Sequence, residues 1–241
     1  MTSIHSAWMC NAAVALGTAA SIKGVVSLCD FLVSRKALSP PTSRKIVHIA
    51  AGCWMLSWPL FDAEGDGWSW RLNALVTITF AARFAFKGLV KRDPEDEDVR
   101  SMTRTGDPKE LLYGPFQFAV VGTAVGLFLF MREESCLIMA ALGWGDGIAP
   151  IVGRLYGRHR YKALMGGSVS VKTVEGSVGV LLGTILGYYI FARTLGLPEL
   201  SFWSVLVGGI VAAAVEGCSP DNFDNIALPV AMYFLYPFLR S

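Results

Sequence analysis

One carboxylate interrupts the apolar segment LGWGDGIAPIVGRLYG, residues 142–157. Asp146 stands there between Gly145 and Gly147, and a charge near a membrane interior is costly unless it is paired, hydrated or bound to a metal. One interpretation is structural, because Arg154 follows eight residues later and so lies on roughly the same face of a helix. The other is a Mg²⁺ or Mn²⁺ site, at which the two glycines let a phosphate chain approach the backbone.

A basic segment follows this carboxylate. It contains Arg154, Arg158, Arg160, Lys162 and Lys172 around the pair Gly166 and Gly167. Cations, glycines and hydroxyl groups suit a polyphosphate, although basic residues in the loops of a membrane protein need no ligand. Glu175 stands three residues after Lys172, at the entry to the next apolar segment. A helix N-terminus at this point either binds an anion or is simply capped by Glu175.

Two further segments contain candidate residues. Asp221 and Asp224, in SPDNFDN, offer a shared metal a second carboxylate, although ordinary Asx-rich turns have the same composition. In RKIVH, His48 lies one helical turn after Arg44. A lone histidine in a helix is more often structural than catalytic, so we favour a structural role for His48.

The composition predicts an integral membrane protein. Hydrophobic residues make up 53% of the chain and charged residues 17%, with a mean hydropathy of +0.47. The net charge of +2 gives no basis for a nucleic-acid partner. The five cysteines show neither CxxC nor zinc spacing, so we interpret them as apolar filling rather than as disulfides.

Apolar segments of about twenty residues are long enough to cross a bilayer. We predict an all-α, polytopic membrane bundle with about seven or eight transmembrane helices, forming a single catalytic domain, 1–241. The predicted spans are 8–33, 44–61, 70–90, 112–131, 135–153, 174–193, 200–217 and a short one at 226–239. The last contains Pro229 and Pro237.

Basic and acidic connections alternate along the chain, as the enrichment of Lys and Arg in cytoplasmic loops predicts. The loops expected on the cytoplasmic or stromal side, where the candidate residues also lie, are 34–45, 87–110, 154–173 and 217–225. Within the second of these, VKRDPEDEDVR at 90–100 is interpreted as a solvated loop. The steps Gly153-x-x-x-Gly157 and Gly179-x-x-x-Gly183 predict close helix packing.

Together these polar segments resemble the polyprenol kinase family, which includes dolichol, phytol and farnesol kinases and is related to phosphatidate cytidylyltransferases. The resemblance runs from about residue 44 to the end, through SRKIVH, GDGIAPIVGRLYGRHR, KTVEGS and the DN at 224–225 that follows Glu216. RTGDPKELLYGP, with Asp107 and Glu110, is similar to the phytol and farnesol kinases in particular. The KIPYN-type segment of the family is replaced here by RYKALMGGSVSV.

The resemblance implies a multi-pass enzyme of the endoplasmic reticulum or a plastid that uses CTP to phosphorylate a lipid alcohol such as phytol, farnesol or geranylgeraniol. It puts Asp146, Lys172 and Glu175 at the nucleotide end, with Asp224 and Asn225 nearby. From the residues and the resemblance together we predict Asp146, Lys172, Glu175 and Asp224 as catalytic residues, and as nucleotide-binding residues Gly145, Gly147, Arg154, Lys162, Lys172 and Asn225. Asp146 with Asp221 or Asp224 would hold the metal. Further candidates are Arg44, Lys45, His48, Asp107, Glu110 and Glu216. The alternatives are a nucleotidyltransferase acting on a phosphorylated lipid and a small membrane transporter.

Overall fold

The computed structural model describes residues 4–162, 171–219 and 223–240, and these are predominantly helical. The chain forms two compact units, Met1–Phe130 and Met131–Ser241, hereafter unit 1 and unit 2. The prediction of an all-α, polytopic membrane fold is confirmed. That the whole chain acts as one catalytic domain stays a prediction.

Unit 1 is built from α-helices that 3-10 and π-helical turns extend. The helices are α1 (Ile4–Ser34), α2 (Pro40–Gly52), α3 (Leu72–Phe86), α4 (Glu97–Met102) and α5 (Gly114–Phe128). The 3-10 turns are Cys53–Leu60 after α2, Ser69–Arg71 before α3 and Pro108–Leu112 before α5, and the π turn Lys87–Lys91 continues α3. Side chains from all five helices share one apolar core, which includes Val26, Val47, Phe84, Val99 and Ala119.

Unit 2 carries the segments in which the sequence predicts the site. Its elements are α6 (Glu133–Met139), the π turn Ala140–Gly145, α7 (Asp146–Tyr156), β1 (Arg160–Lys162), β2 (Val171–Thr173), α8 (Val174–Leu195), α9 (Phe202–Cys218) and α10 (Asp224–Arg240). The strands β1 and β2 pair antiparallel. Helix α8 packs against α6, α7 and α9, and α10 packs against α6 and α9.

Small residues let α8 approach the helix before it closely. A Cβ atom on Gly179 would lie 3.3 Å from the Cα of Ala149, and one on Gly183 would lie 2.8 Å from the carbonyl oxygen of Trp144. Both distances are shorter than ordinary van der Waals contact, so a larger residue would push the helices apart. The prediction of close packing at the second glycine step is confirmed.

Within the described residues, five helical segments are long and apolar enough to cross a membrane. They are Ser6–Ser34, Ser69–Lys91, Pro108–Phe128, Glu133–Tyr156 and Val174–Leu195. The other three predicted spans are also helical but differ in character. The one at 44–61 changes to a 3-10 helix at Cys53, and α9 and α10 have 17 residues each.

Candidate functional site

Asp146 lies within a continuous helical segment rather than in a loop. It is the first residue of α7, follows the π turn Ala140–Gly145 directly, and is only 2% exposed. A π turn widens a helix by one residue and is frequent at functional sites. The local backbone therefore distinguishes the position of Asp146 from the regular helices around it.

The glycines beside Asp146 are buried. A Cβ atom on Gly145 would lie 2.6 Å from the hydroxyl oxygen of Thr184 and 3.2 Å from the carbonyl oxygen of Val180, both on α8. Close packing against α8 is therefore a sufficient reason for glycine at 145. Gly147 is buried in the first turn of α7. The nucleotide-binding role of both glycines stays a prediction.

Lys172 reaches the last turn of α9 from strand β2. Its ammonium nitrogen lies 2.7 Å from a carboxylate oxygen of Glu216 and also donates a hydrogen bond to the backbone carbonyl of that residue. Both side chains are largely buried, with 15% and 11% of their surfaces exposed. Glu216, only a secondary candidate from the sequence, thus becomes the direct partner of a predicted catalytic lysine.

Three other predicted site residues interact with Glu216. Besides its ion pair with Lys172, Glu216 interacts electrostatically with Asp146 and Asp224. These residues come from four elements, namely the start of α7, strand β2, the end of α9 and the start of α10. Burying neighbouring carboxylates is expensive, so such a group is a candidate for binding a cation or for acid-base chemistry. We call Asp146, Lys172, Glu216 and Asp224 the charge cluster.

Asn225 adds a buried amide beside the charge cluster. It is 5% exposed, its backbone N–H donates to the Asp224 carboxylate at 2.9 Å, and within the described part of the chain its Oδ1 has no hydrogen-bond partner. Asp221 lies outside the described residues. Among those that the structure describes, no three His, Cys, Asp or Glu side chains form a ready-made metal site.

A ready-made cage is not what Mg²⁺ requires at a phosphate site. This ion usually binds one or two carboxylates together with substrate phosphates and water. The carboxylates of Asp146 and Asp224, with the free amide oxygen of Asn225, are oxygen ligands of the kind it prefers. The residues present therefore fit a Mg²⁺ ion that arrives with a phosphate substrate.

The predicted basic residues do not all point the same way. Lys172 pairs across the hairpin with Tyr161, so these two side chains share one face of the strands. Lys162 is the next residue along β1 and therefore projects from the opposite face, where it is exposed. Arg154 is exposed on α7. Gly166 and Gly167 lie outside the described residues.

Glu175 is already engaged at the start of α8. Its carboxylate accepts the backbone N–H of His159 at 3.3 Å and lies 2.8 Å from the Nδ1 atom of the same histidine. The cap of α8 is Thr173, whose hydroxyl accepts the N–H of Gly176. His159 could not be singled out from the sequence, because its partner Glu175 lies sixteen residues away across the hairpin.

The candidates in unit 1 have local contacts of their own. The ring of His48 packs edge-on against Phe118, with ring centroids 4.5 Å apart, as the structural interpretation expects. Asp107 caps the turn Pro108–Leu112 by accepting the N–H of Lys109 at 2.9 Å. Glu110 accepts the hydroxyl of Thr105 at 2.7 Å. In α2, Lys45 is buried and Arg44 is half-buried.

The interpretation of 90–100 as a solvated loop is wrong for residues 96–100, although most of 90–95 is exposed. Asp98 is fully buried and forms two hydrogen bonds with Arg83, at 2.6 and 3.0 Å, and one with Lys87 at 2.6 Å. Asp96 binds Lys87 at 2.5 Å and Lys91 at 2.8 Å. The acidic run is therefore an ion-pair network with basic residues of α3 and its π turn, and sequence order alone does not reveal this pairing.

The apolar helical segments and the largely buried charge cluster define a multi-pass helical membrane protein with a built polar site. No protein-family model matches the chain, and no solved structure matches it. It is 31% identical over 233 residues to "Probable phytol kinase 1, chloroplastic" of Glycine max, which covers 92% of this chain and 74% of that relative.

Two other similar proteins are also named phytol kinases. The chain is 33% identical over 230 residues to "Phytol kinase" of Synechocystis, covering 90% of this chain and 88% of the relative. It is 29% identical over 212 residues to "Phytol kinase 1, chloroplastic" of Arabidopsis thaliana, covering 84% and 67%. The chain belongs to the phytol kinase family, and the predicted enzyme class, a lipid-alcohol kinase, is confirmed.

Proposed function

We propose that this chain transfers the γ-phosphoryl group of CTP to the hydroxyl group of an isoprenoid alcohol, with phytol as the first candidate substrate. The observation that carries the proposal is the charge cluster, in which Glu216 pairs with Lys172 and interacts electrostatically with Asp146 and Asp224. Phytol is named first because the relatives that match most of the chain are named phytol kinases.

Charge neutralisation is the main work of a phosphoryl-transfer site. A triphosphate is anionic, so it approaches the carboxylates of Asp146 and Asp224 only with a cation between them. Mg²⁺ held by those two carboxylates, with the Asn225 amide oxygen nearby, would supply that charge when bound. Lys172 adds a positive charge on the face of the hairpin that meets α9, and Glu216 fixes its position.

The reaction itself needs little covalent help from the protein. The alcohol oxygen forms a bond to the γ-phosphorus while the bond from that phosphorus to the β–γ bridging oxygen breaks. The products are an alcohol monophosphate and CDP, and the hydroxyl proton is released to solvent. The chain's own contribution is to hold the two substrates in line and to balance charge.

The proposed orientation places the charge cluster and the basic loops on the cytoplasmic or stromal side of the membrane. This follows from the alternation of basic and acidic connections in the sequence. The plant relatives are named chloroplastic, which supports a plastid membrane as the location.

A labelled-nucleotide assay tests the proposal. The purified protein is incubated in detergent with phytol, farnesol, geranylgeraniol or dolichol, each with CTP or ATP labelled at the α or the γ position. We expect γ label, and no α label, in the monophosphate of an isoprenoid alcohol, with CTP preferred. Incorporation of α label into a phosphorylated lipid would instead establish nucleotidyl transfer, and no incorporation into any lipid would contradict the proposal.

A further inference from the structure

A cavity lies at the cytoplasmic-side end of unit 2 as we orient it, where the hairpin meets α8 and α9. It has a volume of about 280 Å³ and is lined by Tyr161, Ser177, Ala213, Ala214, Gly217 and Cys218. Most of this lining is small and apolar, and the polar exceptions are two hydroxyl groups. The Tyr161 hydroxyl and the Ser177 hydroxyl form a hydrogen bond of 2.6 Å.

The hairpin joins this cavity to the charge cluster. Tyr161 and Lys172 are directly paired across the strands, so both side chains project from the same face. Lys172 binds Glu216, and the Tyr161 hydroxyl lies against Gly217, where an added Cβ atom would come within 2.8 Å of it. Consecutive residues of α9 thus contact the cluster lysine and the cavity tyrosine.

The size and chemistry of the cavity restrict what it can hold. Ligand pockets in proteins usually span about 300–1,000 Å³, so this one suits the end of a long molecule rather than the whole of it. Alanine side chains leave room for a hydrocarbon, whereas paired hydroxyl groups both donate and accept hydrogen bonds. An alcohol at the end of an apolar chain matches both properties. A highly charged triphosphate can accept hydrogen bonds from the hydroxyl groups, but it does not match a lining that is mostly apolar and contains no cation.

We infer that this cavity receives the hydroxyl end of the isoprenoid alcohol. Tyr161 and Ser177 hold the hydroxyl group, and Ala213 and Ala214 contact the first carbons of the chain. The inference rests on the proposed function, because it identifies the acceptor subsite of the same kinase. Helix α9 then has two roles. Glu216 belongs to the charge cluster, and Ala213, Ala214, Gly217 and Cys218 line the acceptor subsite.

Cys218 makes occupancy of the cavity measurable without turnover. A variant with Cys10→Ser and Cys53→Ser keeps Cys218 as a partly exposed thiol, while Cys29 and Cys136 are buried. Its rate of modification by N-ethylmaleimide is followed by mass spectrometry with and without farnesol or phytol. An alcohol present at ten times its dissociation constant should slow the labelling of Cys218 about tenfold.

Two controls accompany the labelling. A variant that keeps Cys53 instead of Cys218 reports on unit 1, and its labelling should not respond to the alcohol. The corresponding hydrocarbon without a hydroxyl group should protect Cys218 far less than the alcohol does. Equal protection by the hydrocarbon would overturn the role given to Tyr161 and Ser177.

A kinetic comparison tests the same subsite in a second way. Ala213→Leu fills the cavity, and Tyr161→Phe removes one hydroxyl group but keeps the ring. Each should raise KM for the alcohol about tenfold while leaving KM for the nucleotide unchanged. Val207→Leu adds bulk at an exposed position of the same helix outside the cavity lining and should change neither constant.

The two proposals fail in different ways. If the wild type phosphorylates an alcohol that neither protects Cys218 nor responds to Ala213→Leu, the cavity is not the acceptor subsite, and the proposed function stands. If an alcohol protects Cys218 but no alcohol is phosphorylated, the cavity binds alcohols and the proposed function is wrong.

Discussion

Both units of the molecule have clustered acidic side chains near predicted membrane boundaries, but the partners of these side chains differ between the units. In unit 1, Asp96 and Asp98 are each held by two cationic side chains at 2.5 to 2.8 Å, and Arg100 grips Asp30 through two hydrogen bonds of 2.9 Å. In unit 2, Glu216 has a lysine partner and also interacts with two other carboxylates.

This difference separates a structural use of charge from a chemical one. In a network where every acidic side chain directly contacts a cationic one, the charges are balanced within the protein, and the ion pairs link helices. Neighbouring carboxylates raise the local demand for positive charge, which a Mg²⁺–nucleotide complex can meet. We therefore expect substitutions in the ion-pair network of unit 1 to alter stability and those in the charge cluster of unit 2 to alter activity.

The largest effect is expected at Asp146. Asp146→Asn keeps the size of the side chain but removes its charge, so kcat/KM should fall about 10²–10³-fold as for other electrostatic groups at active sites. Turnover is measured with γ-labelled CTP, and folding by thermal unfolding in detergent. Glu199→Gln removes an exposed carboxylate of unit 2, paired with Arg193, and should leave turnover unchanged. Normal turnover by the Asp146 variant would remove Asp146 from the site.

Asp98 should give the opposite result. Asp98→Asn removes a fully buried partner from Arg83 and from Lys87, which keep Glu97 and Asp96, and this should lower the free energy of unfolding by about 1–3 kcal/mol. The measurement is chemical unfolding in detergent, with activity normalised to the folded fraction. Asp93→Asn, which breaks a more exposed pair, should cost about 0–1 kcal/mol. A stable Asp98 variant with lost turnover would reverse the assignment of the two units.

The same network should respond to acid. Burial raises the pKa of Asp96, but hydrogen bonds from Lys87 and Lys91 outweigh this and lower the pKa from 3.8 to about 2. A lowered pKa stabilises the fold above the unfolded value, and the gain is lost as pH falls from 3.8 towards 2. The difference in unfolding free energy between the wild type and Asp96→Asn should therefore shrink by about 2 kcal/mol over that window. A difference that does not vary with pH would contradict the ion pairs.

The smallest effect is expected at Glu175. Gln keeps an oxygen that accepts the His159 N–H, so Glu175→Gln should lower kcat less than about tenfold if Glu175 mainly anchors the hairpin to α8. General bases contribute about 10²–10⁴-fold. A loss of that size, together with a shifted pH profile, would make Glu175 the base.

The helices could be predicted because each is a long apolar segment, and that signal is local. The positions of α1, α3, α5, α8 and α9 agree with the predicted spans to within a few residues at most ends. The π turn before Asp146 and the 3-10 continuation of α2 carry no comparable local signal. They depend on how neighbouring helices pack.

Which charged residues pair with one another could not be predicted from the sequence. Asp98 binds residues 11 and 15 positions away, and Lys172 binds Glu216 at a separation of 44 residues. Such pairs form only after helices have docked. From the sequence, the segment that contains Asp98 was therefore interpreted as a solvated loop, and Glu216 was only a secondary candidate. That Asp146 and Asp224 act at one site was predicted from residue type and from the resemblance, not from spacing, and both interact electrostatically with Glu216.

We propose that the carboxylates of the charge cluster receive a divalent cation together with the nucleotide. The most direct test is electron paramagnetic resonance of Mn²⁺ with CTP, titrated into the wild type, Asp146→Asn and Glu199→Gln in detergent. We predict a protein-bound Mn²⁺–CTP signal in the wild type and Glu199→Gln, and an affinity at least about tenfold weaker in Asp146→Asn, which corresponds to about 1.4 kcal/mol. Equal affinity in all three proteins would contradict the account.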